Sequence, residues 1–364
     1  MDIYEKLGVR TFINARGAQT RFGGAIMLPA VVDAMVAASK STVYLGELQD
    51  VIGARIAVMT QNEAAMVTCG AAAGIVLAVS ACMTGEDRKK MASLPDTKGM
   101  KNEVIVQRHM RFDEDCVLKQ TGARIIEIAG AGLLGEAELA AAIGPCTAAI
   151  FTTPWIGSKT IPLPSVVRLA RERNIPVIVD AAAELPPSEN LWKFTKEVGA
   201  DLAIFSGGKG LRGPQSSGLA VGKKRLIEAM KMQASPHCYI GRPMKVGKEE
   251  MAGLYVAVEC LLATPDQERK DLLEKRMLHI ETRLSHLSFL RFEHEESCLI
   301  IKWDEIANTA TAEEVAARMR SGKPGIECGC SNGLRLNMAT LQTGEEEIAA
   351  SRIAEIMGLM TFLA

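Results

Sequence analysis

The spacing of apolar and polar positions changes character along this chain, and the changes mark out its elements. Near the amino end, residues 27–40 and 47–60 carry apolar side chains at helical intervals, with Leu48, Val51, Ile52 and Ile56 in the second stretch, and both are predicted to be helices. Beyond residue 100, short β-rich runs at 104–107, 124–128, 148–152, 177–179, 202–205 and 218–221 alternate with helical stretches at 113–121, 136–142, 165–173 and 191–198. Such alternation predicts an α/β architecture, a mainly parallel central sheet covered on both faces, with ligands gathering at the carboxyl ends of its strands. From about Lys223 the pattern shifts to long charged helices, 246–263 and 265–287, and then to short strands such as 298–302. The expected division is a large domain with its amino-terminal segment over 1–246 and a smaller α+β carboxy-terminal domain over 247–364.

One stretch breaks the alternation. Residues 64–85 hold no charged side chain, and about 20 apolar residues suffice to cross a bilayer. Alanine and glycine dominate it, however, with Thr68, Ser80 and Thr84 interspersed, and alanine is much less lipophilic than leucine or isoleucine. The preferred reading is a helix buried on all sides in a soluble protein, with no membrane partner. A net charge of -1, from 42 Lys and Arg against 43 Asp and Glu, leaves no overall positive field to hold a polyanion, which argues against a dedicated nucleic-acid-binding protein. Nine cysteines lie scattered without a Cys-x-x-Cys pair, as expected of a reducing compartment in which thiols mostly fill cores. The start, Met1-Asp2-Ile3-Tyr4-Glu5-Lys6, lacks the basic and apolar regions of a secretory signal, so the expected location is the cytoplasm.

Candidate chemistry concentrates at three points. Lys209 lies in the glycine-rich turn Ser206-Gly207-Gly208-Lys209-Gly210 directly after one β-rich run, and Asp180 ends another about 30 residues earlier. A lysine and an acid presented this way suit pyridoxal 5'-phosphate: the amine forms a Schiff base and the carboxylate pairs with the protonated pyridine nitrogen. An acid at the end of a buried strand is costly to ionise unless it is paired, and Ala182 beside it is small enough to lie against a cofactor ring. Third, Thr68-Cys69-Gly70-Ala71-Ala72-Ala73-Gly74 opens a helix, whose unpaired N–H groups and positive dipole end can receive a phosphate. Each has a plainer alternative: a solvated lysine, a helix-capping aspartate and tight helix packing.

Other motifs weaken on inspection. Gly207-Gly208-Lys209-Gly210 is no nucleotide phosphate loop, because position 203 is Ala203 and position 210 is Gly210 where that loop needs glycine and Ser or Thr. Gly130-Ala131-Gly132-Leu133-Leu134-Gly135 fits a dinucleotide fingerprint, yet no acid follows about 20 residues later to grip a ribose. His109, after the run at 104–107, suits stacking on a cofactor ring or acid–base work. Arg335 carries a planar fork fit for a substrate carboxylate. His237-Cys238 and Cys328-Gly329-Cys330 lack metal-ligand spacing, so no metal is expected.

Together these residues resemble the fold-type I pyridoxal phosphate enzymes, and within them the selenocysteine synthase-like branch. The likeness runs through Leu7-Gly8-Val9-Arg10, Ile13-Asn14-Ala15-Arg16-Gly17, Glu47-Leu48-Gln49, the 68–74 loop, Ser206-Gly207-Gly208-Lys209, Gly213-Pro214-Gln215 and Gly241-Arg242-Pro243-Met244-Lys245. The resemblance implies Lys209 as the Schiff-base lysine, Asp180 as the pyridinium partner, Ser206 with the amides of Gly70 and Ala71 on the cofactor phosphate, and His109 over the ring. It further implies Arg335 on a substrate carboxylate, Arg242 and Lys245 near a cofactor or substrate phosphate with Arg16 among the cations available to substrate, and a homodimer or larger assembly. The implied activity is an α,β-elimination releasing ammonia from a small hydroxylated amino acid, D-glucosaminate 6-phosphate foremost. Another pyridoxal phosphate reaction (C–S lysis, racemisation or β-replacement), a nicotinamide oxidoreductase and a non-catalytic regulator are the alternatives. The likeness begins at about residue 5, without the amino-terminal region that selenocysteine synthase proper uses for its tRNA, so a small molecule is the expected substrate.

Overall fold

Twelve strands and the helices between them make up the regions described in the computed structural model, residues 3–110, 115–129, 135–154, 160–305 and 310–361. In chain order the strands are β1 (Phe12–Asn14), β2 (Ala64–Thr68), β3 (Glu103–Gln107), β4 (Arg124–Ile128), β5 (Thr147–Thr152), β6 (Val177–Asp180), β7 (Leu202–Ser206), β8 (Gly218–Gly222), β9 (Arg291–Glu295), β10 (Cys298–Lys302), β11 (Gly325–Glu327) and β12 (Leu334–Asn337). Seven form one sheet in the order β2-β8-β7-β6-β5-β3-β4. From β7 to β4 neighbours run parallel, and β8 runs against both β7 and β2.

Strand side chains alternate between faces, and here both faces are covered. Val67, Ile105, Val177, Val179, Ala203, Phe205 and Leu219 enter one core with helices Leu45–Met59, Leu163–Glu172 and Lys248–Ala263. Met66, Val104, Val106, Ile178, Leu202, Ile204 and Ala220 enter the other with helices Ala71–Thr84 and Lys224–Gln233. Such two-sided burial explains why the parallel strands read as continuous apolar runs.

The segment 64–85 is a correction. It is not one helix: Ala64–Thr68 is strand β2, paired antiparallel with β8 from Ala64↔Gly222 to Thr68↔Gly218, and the helix begins at Ala71 after Gly70 turns the chain at φ 134°. An uncharged run rich in alanine has no period with which to separate strand from helix. The helical part is buried from Gly74 to Ala81, as its composition predicted. No helix among the described residues is long and apolar enough to cross a membrane.

Contacts divide the chain at 263/264 rather than at 246/247, and residues 1–26 join the smaller unit. Helix Lys248–Ala263 stays with the larger unit because Met251, Leu254, Val258 and Leu261 are buried in the first sheet core. The smaller unit, 1–26 and 264–364, holds the antiparallel sheet β12-β10-β9 and the parallel pair β1-β11, around a core that includes Ile13 and Ala15. Periodicity could not reveal that β1 pairs with a strand some 310 residues away (Phe12↔Gly325). All nine cysteines are free, but only Cys298 and Cys328 are buried, while Cys116, Cys146 and Cys238 are exposed; most of these thiols are therefore not core filler.

Candidate active site

The carboxyl ends of β6 and β7 lie side by side, because Asp180 pairs with Ile204 and the amide of Ala181 donates to Ile204 O at 2.9 Å. Asp180 closes β6, and Ser206 closes β7 just before the Lys209 turn. That turn is tied by backbone bonds, Gly207 N to Ser217 O at 2.9 Å, Gly213 N to Gly207 O at 2.8 Å and Arg212 N to Lys209 O at 2.9 Å. A side chain at Gly210 would put its Cβ 1.8 Å from Leu185 O, so the chain just after Lys209 presses directly on the loop that follows Asp180. Lys209 is partly exposed, and among the described residues its Nζ makes no hydrogen bond or ion pair. Asp180 is half-buried, and its Oδ1 accepts from the amide of Ala182 at 3.0 Å, which fixes Ala182 next to the carboxylate.

The loop expected to receive a phosphate stands at the same edge. Ser206 pairs with Gly218, and Gly218 with Thr68, so β7, β8 and β2 end or begin abreast. The turn after Thr68 sits on this line: a Cβ on Gly218 would meet the Gly70 carbonyl carbon at 2.5 Å, and Thr68 Oγ1 donates to Gly70 O at 2.8 Å. Gly70 itself, at φ 134° and ψ 161°, holds a conformation that a Cβ disfavours, and no atom lies within 4 Å of where one would be. The helix from Ala71 begins here, and its first N–H groups have no intrahelical acceptor. These features fit pyridoxal 5'-phosphate: an amine, a carboxylate for the ring nitrogen, and a backbone anion cradle with Ser206 beside it. Burial pushes the Cys69 thiol up, so the cysteine in this loop is held as a neutral thiol.

The remaining expected residues are placed differently. His109 follows β3 in the short 3-10 turn Arg108–Met110, at the same edge but two strands from β6, and is exposed. Arg242 and Lys245 are exposed on the segment after helix Lys224–Gln233, where the amide of Arg242 donates to Tyr239 O at 2.9 Å. No hydrogen bond among the described residues joins them to the Lys209 turn. Arg16 and Arg335 belong to the smaller unit. Arg16 Nη1 donates to Cys328 O at 3.3 Å. Arg335 Nη1 donates to Glu295 Oε2 at 2.6 Å, and that bond holds the guanidinium proton more tightly than usual. The 130–134 part of the dinucleotide-like motif lies outside the described residues. Two residues of the edge carried no assigned role in the sequence reading, Thr68 and Gln49; the latter's side chain bonds both backbone groups of Val67, at 2.7 and 3.0 Å. Its only sequence signal was its place in Glu47-Leu48-Gln49.

Comparison with known proteins gives a consistent picture. The family model of SelA, L-seryl-tRNA selenium transferase, matches residues 12–297. The chain is 33% identical to a 5'-C-glycyluridine monooxygenase-decarboxylase of Streptomyces sp, over 89% of this chain and 83% of that one. It is 30% identical to the D-glucosaminate-6-phosphate ammonia lyase of Salmonella typhimurium strain 14028s, over 98% of both. In structure it is similar to a solved D-glucosaminate-6-phosphate ammonia-lyase, with TM-score 0.86, 28% identity and 99% of each chain covered. A serine palmitoyltransferase from S. paucimobilis, solved with bound PLP, matches at TM-score 0.62 and 13% identity over 96% of this chain and 88% of that one, which shows a shared fold alone. The fold is the expected PLP-dependent transferase fold type I, with a mainly parallel central sheet.

Proposed function

The chain belongs to the SelA (L-seryl-tRNA selenium transferase) family and is a pyridoxal 5'-phosphate-dependent lyase, and we propose that it catalyses an α,β-elimination releasing ammonia from a small hydroxylated amino acid. The specific substrate we propose is D-glucosaminate 6-phosphate, converted to 2-keto-3-deoxygluconate 6-phosphate. The observation that carries this reading is the end-to-end similarity to an ammonia lyase of that substrate, over 98% of both chains. The Lys209 turn and Asp180 on adjacent strand ends support it.

Bound at this edge, the cofactor supplies an electron sink for the pair left when the substrate's Cα loses its proton. In this reading Lys209 Nζ takes that proton as general base. Asp180 keeps the ring nitrogen protonated, and its partial burial strengthens the pairing of the two charges. Ser206 and the amides from Gly70 and Ala71 hold the cofactor phosphate with Arg242, and His109 covers the ring. Loss of the C3 hydroxyl and of the amino group, with water returned at C2, yields the keto acid and ammonia. Arg335 is the proposed carboxylate clamp, and Lys245 and Arg16 are the proposed contacts to the substrate's phosphate. The balanced charge supports a small substrate over tRNA. Exposed apolar side chains on helices Pro29–Ser39 and Leu45–Met59, among them Val32, Val36, Val51 and Val58, support a homodimer or larger assembly, in the cytoplasm.

A second reading, an oxygen-consuming decarboxylation, is favoured by the 33% identity to the Streptomyces enzyme. The two separate in one experiment. Protein incubated with the cofactor is reduced with borohydride and mapped by peptide mass, and unreduced enzyme is assayed with D-glucosaminate 6-phosphate for ammonia and for oxygen uptake. The expected results are an adduct on Lys209, ammonia without oxygen uptake, and a loss of turnover of about 10²–10⁴-fold in Lys209→Ala. An adduct elsewhere, or full turnover in Lys209→Ala, sinks the site. Oxygen uptake with carbon dioxide release and no ammonia selects the second reading.

A further inference from the structure

The sheet has a second edge with chemistry of its own, at the amino ends of β6 and β7, opposite the Lys209 turn. A cavity of about 340 Å³ opens there, lined by Arg171, Asn174, Asp201, Lys223 and Arg225, with Val167, Ile175, Pro176 and Val177 as its apolar wall. Three elements supply the cations. Arg171 ends helix Leu163–Glu172, and its Nη2 lies 2.3 Å from where a Cβ on Gly199 would be, so the glycine leaves the guanidinium its place. Lys223 and Arg225 open helix Lys224–Gln233 as part of Lys223-Lys224-Arg225, three successive cations at a helix end whose dipole disfavours them.

The carboxylates nearby pair with two of these cations, one closely and one at the limit of an ion pair, and leave the third. Asp201 spends Oδ2 on the amide of Val177 at 2.9 Å, and its Oδ1 is 3.7 Å from Arg225 Nη2. Glu63 takes Lys223 Nζ at 2.7 Å and the amide of Lys224 at 3.1 Å. Among the described residues Arg171 has no ion pair within 4 Å. The Arg171 fork is therefore open to a guest, and Arg225, held by Asp201 only at 3.7 Å, can turn to the same one. A phosphomonoester fits this set better than a carboxylate: it carries about −1.5 to −2 charge at neutral pH and three peripheral oxygens that charge-assisted donors can share. The apolar wall gives the rest of the molecule somewhere to lie.

We propose that this cavity binds a small phosphorylated metabolite through Arg171 and Arg225, at a site distinct from the Lys209 edge. Its test is calorimetric and needs no turnover, so it fails or succeeds independently of the assigned reaction. Holoenzyme is first reduced with borohydride so that the cofactor stays in its cradle, then titrated with glucose 6-phosphate and with inorganic phosphate at low ionic strength. Saturable binding is expected, weakened about tenfold or more in Arg171→Gln and further in Arg171→Gln/Arg225→Gln, and kept in Arg242→Gln/Lys245→Gln. Melting curves of the single variant guard against a folding defect in the double one. No binding by either probe, undiminished binding in both Arg171 variants, or loss confined to Arg242→Gln/Lys245→Gln overturns the site.

Discussion

Each glycine around Lys209 stands where something else fills the space of a side chain. At Gly207 that neighbour is Ser217 Oγ, 2.0 Å from an added Cβ, and at Gly208 it is Gln215, but at Gly210 it is the backbone oxygen of Leu185 at 1.8 Å. The serine side chain can turn aside, whereas the Gln215 Cα, 2.7 Å from a Cβ at Gly208, and a carbonyl in a turn cannot. Gly210→Ala must therefore push apart the Lys209 turn and the loop after Asp180, which carry the two groups proposed to flank one cofactor. We expect it to destabilise the protein by about 1–3 kcal/mol and to lower the fraction of Lys209 that borohydride traps as adduct. An alanine variant with unchanged melting temperature and full adduct would show that the contact yields and that the turn does not set the lysine. This much was legible in the sequence, since a glycine-flanked lysine after an apolar run is a local signal. The ion pair of Arg335 with Glu295 was not, because it depends on β12 and β9 sharing β10 as neighbour, a pairing that no local spacing announces.

Strand β2 lies at the edge of the seven-stranded sheet, with β8 on one side only. Its outer backbone groups need partners, for an unpaired buried peptide group costs about as much as a lost hydrogen bond. Gln49, buried on helix Leu45–Met59, supplies them at Val67, its amide nitrogen donating to the carbonyl and its oxygen accepting from the N–H. One side chain thus finishes the ladder just before the Thr68 to Ala71 turn, the proposed phosphate cradle. Gln49→Ala is expected to lower stability by about 2 kcal/mol, and to weaken cofactor affinity through a loosened cradle. Thermal melting with and without added pyridoxal phosphate checks both; a variant that melts and binds like the parent would mean that water replaces the side chain without cost. The strand itself was misread because Ala64-Ala65-Met66-Val67-Thr68 runs without a polar break into the alanines of the following helix. Helices with a charged face and β-rich strands between polar turns were placed within a few residues, since period and punctuation both mark them.

The smaller unit is built from both ends of the chain, and this has a consequence for folding. Residues 1–26 reach it before the whole larger unit is made, and residues 264–364 after. Strand β1 fits between two partners: it pairs with β11 from Phe12↔Gly325 to Asn14↔Glu327, Ala15 N donates to Glu327 O at 2.8 Å, and Asn337 N donates to Ala15 O at 2.8 Å. Thr340 Oγ1 adds a bond to Asn14 O at 2.7 Å. Ile13 and Ala15 are buried in the core with Ile326, Leu336 and Met338. A chain lacking residues 1–17 loses this strand, leaves β11 with an open edge, and exposes apolar surface worth about 25 cal/mol per Å². The deletion is therefore expected to melt well below the intact protein, with the carboxy-terminal unit the first part to lose protection in hydrogen exchange, while deletion of residues 1–9, exposed where they are described, leaves that unit's protection as it was. Equal protection of the carboxy-terminal unit in both deletions would mean that β1 only decorates a unit already complete. The sequence suggested one domain following another because it is read in order; the fold closes its second core only when the two ends of the chain meet.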